Sequence, residues 1–230
     1  MTSDDLDFLL EALARKPSDR KPLSELTTDP DALDRLLDDP ALFARLLSAP
    51  RLLHVSPWFF YYVAVRRAFL DHGIDDRRAS DYVGALLSYH VQARSTQPRE
   101  GGGFYLVDLV MAMSEARSAE DAFQLQTRIG DVALYLAGVF PDWIYHRETV
   151  GRRPVTIGYY ERMGSAHWRA ASRTAAAERY DLGDVLEYMA SRFPEMRQAL
   201  NDLVDGHLDL ARRPGGPDTI CRQALYRVRN

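Results

Sequence analysis

Three pairs in which proline follows aspartate or serine constrain this fold most strongly, because each pair predicts the first residues of a helix. They are Asp29-Pro30, Asp39-Pro40 and Ser56-Pro57. A side-chain oxygen at the N-cap accepts hydrogen bonds from the first backbone amides of a helix, and a proline at the next position has no amide that needs a partner. The Ser118–Asp121 sequence resembles a capping box and predicts a fourth start.

Signals for β-strands are nearly missing, since the sequence contains no long alternating run of β-branched residues. We therefore predict an all-α fold, a single globular bundle of about eight to eleven helices. Residues 1–50 are expected to form an N-terminal segment of short helices packed on a main body at 51–230, with a loop at 16–29. Longer helices are expected over about 119–140 and 155–180, with a last one near 218–228.

Charge and composition limit the classes of partner. The net charge of −4 gives no electrostatic reason to expect nucleic acid or an anionic membrane. The arginine-rich stretch at 212–229 is explained by a solvated terminal helix. The longest apolar runs, at 58–65 and 132–140, are too short to cross a bilayer. We expect a soluble, cytoplasmic protein of bacterial type, and the sequence leaves a homo-oligomer open.

Unusual residues concentrate between Arg128 and Ser172, where any site is expected. This block combines an acid within an apolar helix, two adjacent tyrosines, two histidines and two tryptophans. Aromatic and small residues at helical spacing also occur in ordinary cores. The residues that we predict to bind a ligand are Asp131, Trp143, Tyr159, Tyr160, His167 and Trp168.

Two acids, Asp108 and Asp131, lie in helices that are apolar on nearly every side, so we expect both carboxylates to be at least partly buried. One interpretation is an internal ion pair with an arginine, and the other is a general base or a metal ligand. The available arginines are Arg66, Arg94, Arg128 and Arg162.

The glycines of the same block also have two interpretations. Glycine inside a helix is less favourable than alanine by up to about 1 kcal/mol, so several of them need a reason. They either allow close approach of two helices or leave room for a ligand between the aromatic side chains, with Arg147, Arg152 and Arg153 near an anionic group. The glycines concerned are Gly130, Gly138, Gly158 and Gly164.

Standard catalytic motifs fail their spacing tests. No His stands three residues after an Asp or Glu, and no two His stand four apart, so the usual helical metal ligands are missing. The lone cysteine, Cys221, has no histidine nearby, and no Gly-x-Ser-x-Gly elbow occurs. We therefore predict no metal and no cofactor, and we assign no catalytic residue.

Two segments, GDVALYLAGVFPDW and VTIGYYERMGSAHW, resemble an uncharacterised bacterial all-helical family. That family has a Gly-Asp-x-Ala-Leu helix ending in Phe, followed by a Tyr-Tyr-x-x-(Met/Leu)-Gly helix. The resemblance covers about a fifth of the chain and brings no activity with it. It implies that the two helices form a unit in which Asp131 faces the helix of Tyr159 and Tyr160.

Two functions stay open at this stage. The first is a non-catalytic helical module that binds a protein partner or a small molecule through the aromatic-rich region. The alternative is a metal- or cofactor-dependent helical enzyme, which needs a carboxylate and histidine cluster inside the bundle. The side chains expected to converge in that cluster are Asp131, His167, Glu161 and His90.

Overall fold

The computed structural model describes residues 1–48, 55–92, 106–142, 144–145 and 156–207. These residues form twelve α-helices and one 3₁₀ turn, without a strand, so the predicted all-α class is confirmed. The chain divides into two compact units, residues 1–92 and 93–230. The predicted boundary between residues 50 and 51 lies outside the described residues and stays a prediction.

The first unit contains six helices: α1 (Ser3–Leu13), α2 (Arg20–Leu26), α3 (Pro30–Leu37), α4 (Pro40–Ser48), α5 (Pro57–Asp71) and α6 (Arg77–Gln92). The second contains α7 (Leu106–Met113), α8 (Ala119–Val139), α9 (Ile157–Ser172), α10 (Ala175–Arg179), α11 (Gly183–Ser191) and α12 (Phe193–Gly206). None of the described helices is both long enough and apolar enough to span a membrane.

The helix starts predicted from proline and capping residues are confirmed. The carboxylate of Asp29 accepts from the amide of Ala32 at 2.8 Å. The hydroxyl of Ser56 accepts from the amide of Phe59 at 3.1 Å. The hydroxyl of Ser118 accepts from the amide of Asp121 at 3.0 Å. Local side-chain chemistry therefore fixes where α3, α5 and α8 begin.

Two predicted boundaries are wrong. Residues 16–29 are not a loop, because they form a 3₁₀ turn at Pro17–Asp19 and then α2. Both prolines within them lie in a first turn, where a missing amide is harmless. The long helix expected over 155–180 is divided into α9 and α10, since Thr174 caps a new helix by accepting from the amide of Ala177 at 3.2 Å.

A buried carboxylate joins two helix starts in the first unit. Asp5 is 0% exposed and accepts from the amide of Thr2 at 2.7 Å. It also accepts from the amide of Ser56 at 2.7 Å and from its hydroxyl at 2.8 Å. Burial alone would raise the pKa of Asp5, but these hydrogen bonds outweigh it and lower the pKa.

An ion-pair network centred on Arg66 joins α3, α5 and the start of α6. Arg66 is 2% exposed, and its guanidinium donates to both carboxylate oxygens of Asp38, at 2.9 and 3.1 Å, and to Asp75. Arg77 donates to Asp38 as well, at 2.6 Å. Burial would raise the pKa of Asp38, yet the two arginines hold it below its usual value.

We predict that Arg66→Ala lowers the free energy of unfolding of the first unit by about 2–4 kcal/mol, because it removes a buried ion and leaves Asp38 with one partner fewer. Urea denaturation followed by far-UV circular dichroism measures the change.

The matched control is the neighbouring Arg67→Ala, whose side chain pairs with Asp71 on the surface of the same helix. An exposed pair of this kind contributes about 0.5 kcal/mol or less. Equal losses in the two variants would contradict a structural role for the Arg66 network.

Candidate functional site

The contact between α8 and α9 is centred on Trp168, whose side chain is 0% exposed. Its indole Nε1 donates to Oδ1 of Asp131 at 3.1 Å, and this hydrogen bond joins the two helices. The ring also packs on Phe193 at the start of α12, with 5.3 Å between the ring centroids. One large side chain therefore contacts all three helices of this core.

Three of the predicted glycines permit this packing. A Cβ added at Gly130 would overlap the indole of Trp168, and one added at Gly164 would overlap the ring of Phe193. At Gly138 the added atom would lie 2.8 Å from Cδ1 of Leu200. Close helix approach is thus the confirmed interpretation for these glycines. Gly158 differs, because an added Cβ would have only ordinary neighbours there.

Asp131 and Asp108, the two acids that were expected to be buried, have different environments. Asp131 is half-buried, as expected, and its Oδ1 accepts a hydrogen bond from the indole of Trp168. Of the arginines predicted as partners, Arg66 pairs with Asp38 and Asp75. The expectation for Asp108 is wrong, since this residue is exposed. It lies on the outward side of the short helix α7, where apolar sequence neighbours do not enforce burial.

The remaining predicted residues are divided between core and surface. Tyr160 is buried, and its ring meets that of Tyr159 edge-on with centroids 5.8 Å apart. Tyr159 and His167 on α9 are half-buried, and burial lowers the pKa of His167. Trp143 and the three arginines of the following connection, Arg147, Arg152 and Arg153, lie outside the described residues.

The structure also contains a polar network that sequence reasoning missed. Oε1 of Glu161 on α9 accepts from Nε of Arg197 on α12 at 2.6 Å. Arg197 donates in turn to Oδ1 of Asn201 at 2.6 Å. The amide of Asn201 then donates to the backbone carbonyls of Ala137 and Gly138, at 2.9 and 2.6 Å. The network therefore joins α8, α9 and α12.

A proline just after α8 explains why the last carbonyls of this helix need a donor from another helix. The carbonyl of residue 137 would ordinarily accept from the amide four residues later, and that residue is Pro141, which has none. The side-chain amide of Asn201 supplies the missing donor. The signal was present in the sequence as a helix followed by Pro141, but the identity of the donor depends on tertiary structure.

Two of the side chains proposed for a metal or acid–base centre have partners in the second unit. Asp131 accepts from Trp168, and Glu161 is paired with Arg197. His90 belongs to the first compact unit. Within the described ranges, no group of three His, Cys, Asp or Glu side chains is arranged to hold a metal ion. Within the second unit, the hydrogen bonds of Asp131 and Glu161 join helices.

A second surface of this unit has an unusual composition. Helix α7 reads LVDLVMAM and packs on α8, with Leu106 buried. On its outward side Val107 is 49% exposed and Met111 is 66% exposed. We name this surface the outer α7 face and define it by the exposed residues Val107, Asp108, Met111, Ser114 and Glu115.

Comparisons of the chain with protein-family models, with curated proteins and with solved structures gave no match.

We predict that Gly130→Ala lowers the free energy of unfolding of the second unit by about 1–3 kcal/mol, because the new methyl group forces the indole of Trp168 out of place. The loss outweighs the gain of up to about 1 kcal/mol in helix propensity. Thermal and urea denaturation, with tryptophan fluorescence as the signal, measure the change.

Gly158→Ala is the control on the facing helix, since its added methyl group meets only the end of the flexible Arg162 side chain and the hydroxyl of Thr156. We expect it to be neutral or to stabilise by less than about 1 kcal/mol. A Gly130→Ala protein as stable as this control would contradict the close-packing interpretation.

Proposed function

We propose that this chain is a non-catalytic helical module that binds a protein partner through the outer α7 face. One observation carries the proposal: seven of the eight residues of α7 are apolar, yet Val107 and Met111 face solvent one turn apart. A surface helix ordinarily places polar side chains outward. Exposed apolar side chains grouped on one face are typical of interaction surfaces.

The partner class follows from the contrast between surface and interior. Trp168 and Tyr160, which a small molecule would contact in the predicted aromatic site, are buried. The space above Gly130 and Gly164 is filled by side chains of this chain. The exposed apolar side chains of α7, by contrast, lie on the outer surface of a helix and not in a cavity, which favours a protein partner over a small molecule.

The side chains of the outer α7 face also fit an interface. Methionine has an unbranched and polarisable side chain that adapts to the shape of a partner, and it is enriched in interface cores. On this face Met111 lies one helical turn after Val107, and Glu115 follows in the turn after the helix ends at Met113. A partner that covers Met111 would gain apolar burial, while the acids at the rim would set its orientation.

We predict that Met111→Glu weakens binding of the protein partner at least tenfold, because it places a charge in the centre of the buried surface, and a tenfold change corresponds to about 1.4 kcal/mol. Proteins retained by the wild type and lost by the variant are identified by mass spectrometry. Each is then purified, and its dissociation constant is measured by calorimetry with both chains.

Leu26→Glu is the control, because Leu26 is also a large apolar side chain, 46% exposed, but lies in the first compact unit. It is expected to bind like the wild type, and both variants are expected to keep the wild-type melting temperature. Purified partners that bind Met111→Glu as tightly as the wild type would refute the proposal.

A further inference from the structure

The methionines of the chain differ widely in their exposure to solvent. Met111, on the outer α7 face, is 66% exposed, and Met1 in the first unit is 48% exposed. The remaining methionines, all in the second unit, are half-buried or wholly buried: Met113, Met163, Met189 and Met196. Within the second unit, the thioether that solvent reaches most readily therefore lies on the face proposed to bind a protein.

An exposed thioether can be oxidised by a peroxide and later restored. A lone pair of the methionine sulfur attacks one oxygen of hydrogen peroxide, so that the O–O bond breaks and an S–O bond forms. The sulfur loses two electrons, and the peroxide is reduced to water. Methionine sulfoxide reductases return the sulfur to the thioether with electrons from thiols. The modification is thus reversible and adds one oxygen atom to the side chain.

The charges beside Met111 favour an uncharged oxidant. Asp108 lies three residues before Met111 and Glu115 lies four residues after it, and both acids are exposed. Two carboxylates close to the sulfur repel an anionic oxidant such as hypochlorite, whereas hydrogen peroxide carries no charge. The oxidant class that suits this side chain is therefore a neutral hydroperoxide.

Oxidation at this position changes the chemistry of the surface while the packing of α7 stays intact. Helix α7 is held on α8 through its other side, where Leu106 is 3% exposed. The sulfoxide of Met111 places a strong hydrogen-bond acceptor where the thioether offers an apolar contact. A partner that covers this oxygen without donating a hydrogen bond to it has to remove water from it, which weakens binding.

We propose that Met111 is a reversible oxidation site that controls binding at the outer α7 face. In the thioether form the face binds its protein partner, and in the sulfoxide form it releases that partner. This inference rests on the proposed function, because it adds a means of regulation to the same face. The exposure of Met111 makes it accessible both to the peroxide and to the reductase.

The first measurement needs no partner. The full chain is treated with hydrogen peroxide at neutral pH, and the sulfoxide at each methionine is quantified by peptide mass spectrometry over time. We expect Met111 to react about tenfold faster than the core residues Met189 and Met196, because they are 0% exposed. At the dose that modifies Met111, the melting temperature is expected to stay at its starting value. A rate at Met111 no higher than in the core would overturn the proposal.

The second measurement compares affinities, with the partner protein that the wild type retains and Met111→Glu loses as the probe. The oxidised wild type is expected to bind this protein about tenfold more weakly. Treatment with methionine sulfoxide reductases is expected to restore the affinity. Met111→Leu keeps an apolar side chain of similar size but has no thioether. Its affinity is therefore expected to be the same before and after peroxide.

Met113→Leu is the matched control, since it removes a half-buried thioether from the same helix and leaves Met111 in place. Binding by this variant is expected to remain sensitive to peroxide. Unchanged affinity of the oxidised wild type, or an equal loss in Met111→Leu, would refute the inference. Met111→Glu tests the surface itself, so a chain that loses binding through that substitution but not through oxidation would leave the proposed function standing.

Discussion

The second unit depends on one interaction, the seating of the Trp168 indole on the backbone of α8 at Gly130. Because no side chain intervenes at that glycine, the ring lies against the backbone of the helix and its Nε1 reaches the carboxylate of Asp131. The indole also packs on Phe193, which in turn fills the space that Gly164 leaves open. Removing the glycine or the ring would change the spacing of α8, α9 and α12 together.

This arrangement changes how the unusual residues of the block 128–172 are understood. A lone acid, two tyrosines and a tryptophan on helical faces are equally typical of a pocket and of a packed core. Trp168 and Tyr160 are buried, and Asp131 accepts a hydrogen bond from the indole, so these three side chains take part in the packing of α8 and α9. The proposed binding role therefore lies on the convex side of α7, where Met111 is exposed.

Much of the fold could be predicted from local chemistry, because N-caps act within a few residues. The starts of α3, α5 and α8 followed from Asp29, Ser56 and Ser118. The break at Thr174 was missed, since a threonine inside a helical pattern caps only when the chain turns there. Burial of Asp108 was predicted from apolar neighbours, but exposure depends on which face α7 turns to α8.

Partners distant in sequence could not be predicted from spacing. Asp131 and Trp168 are 37 residues apart, and Asn201 caps carbonyls 63 and 64 residues earlier. The sequence identified the acid, the aromatic residues and the glycines as members of one region. Which of them contact each other is decided by the approach of α8 to α9, and that approach is set by side-chain volumes in three dimensions.

A double-mutant cycle that combines Gly130→Ala with Trp168→Leu tests the central contact most directly. Free energies of unfolding of the wild type, both single variants and the double variant are measured in urea. If the indole rests on Gly130, Gly130→Ala destabilises the Trp168→Leu protein far less than it destabilises the wild type, because the smaller leucine can move away from the added methyl group. The expected coupling energy is about 1–3 kcal/mol. Losses that add within about 0.5 kcal/mol would contradict the account, because independent sites behave in that way.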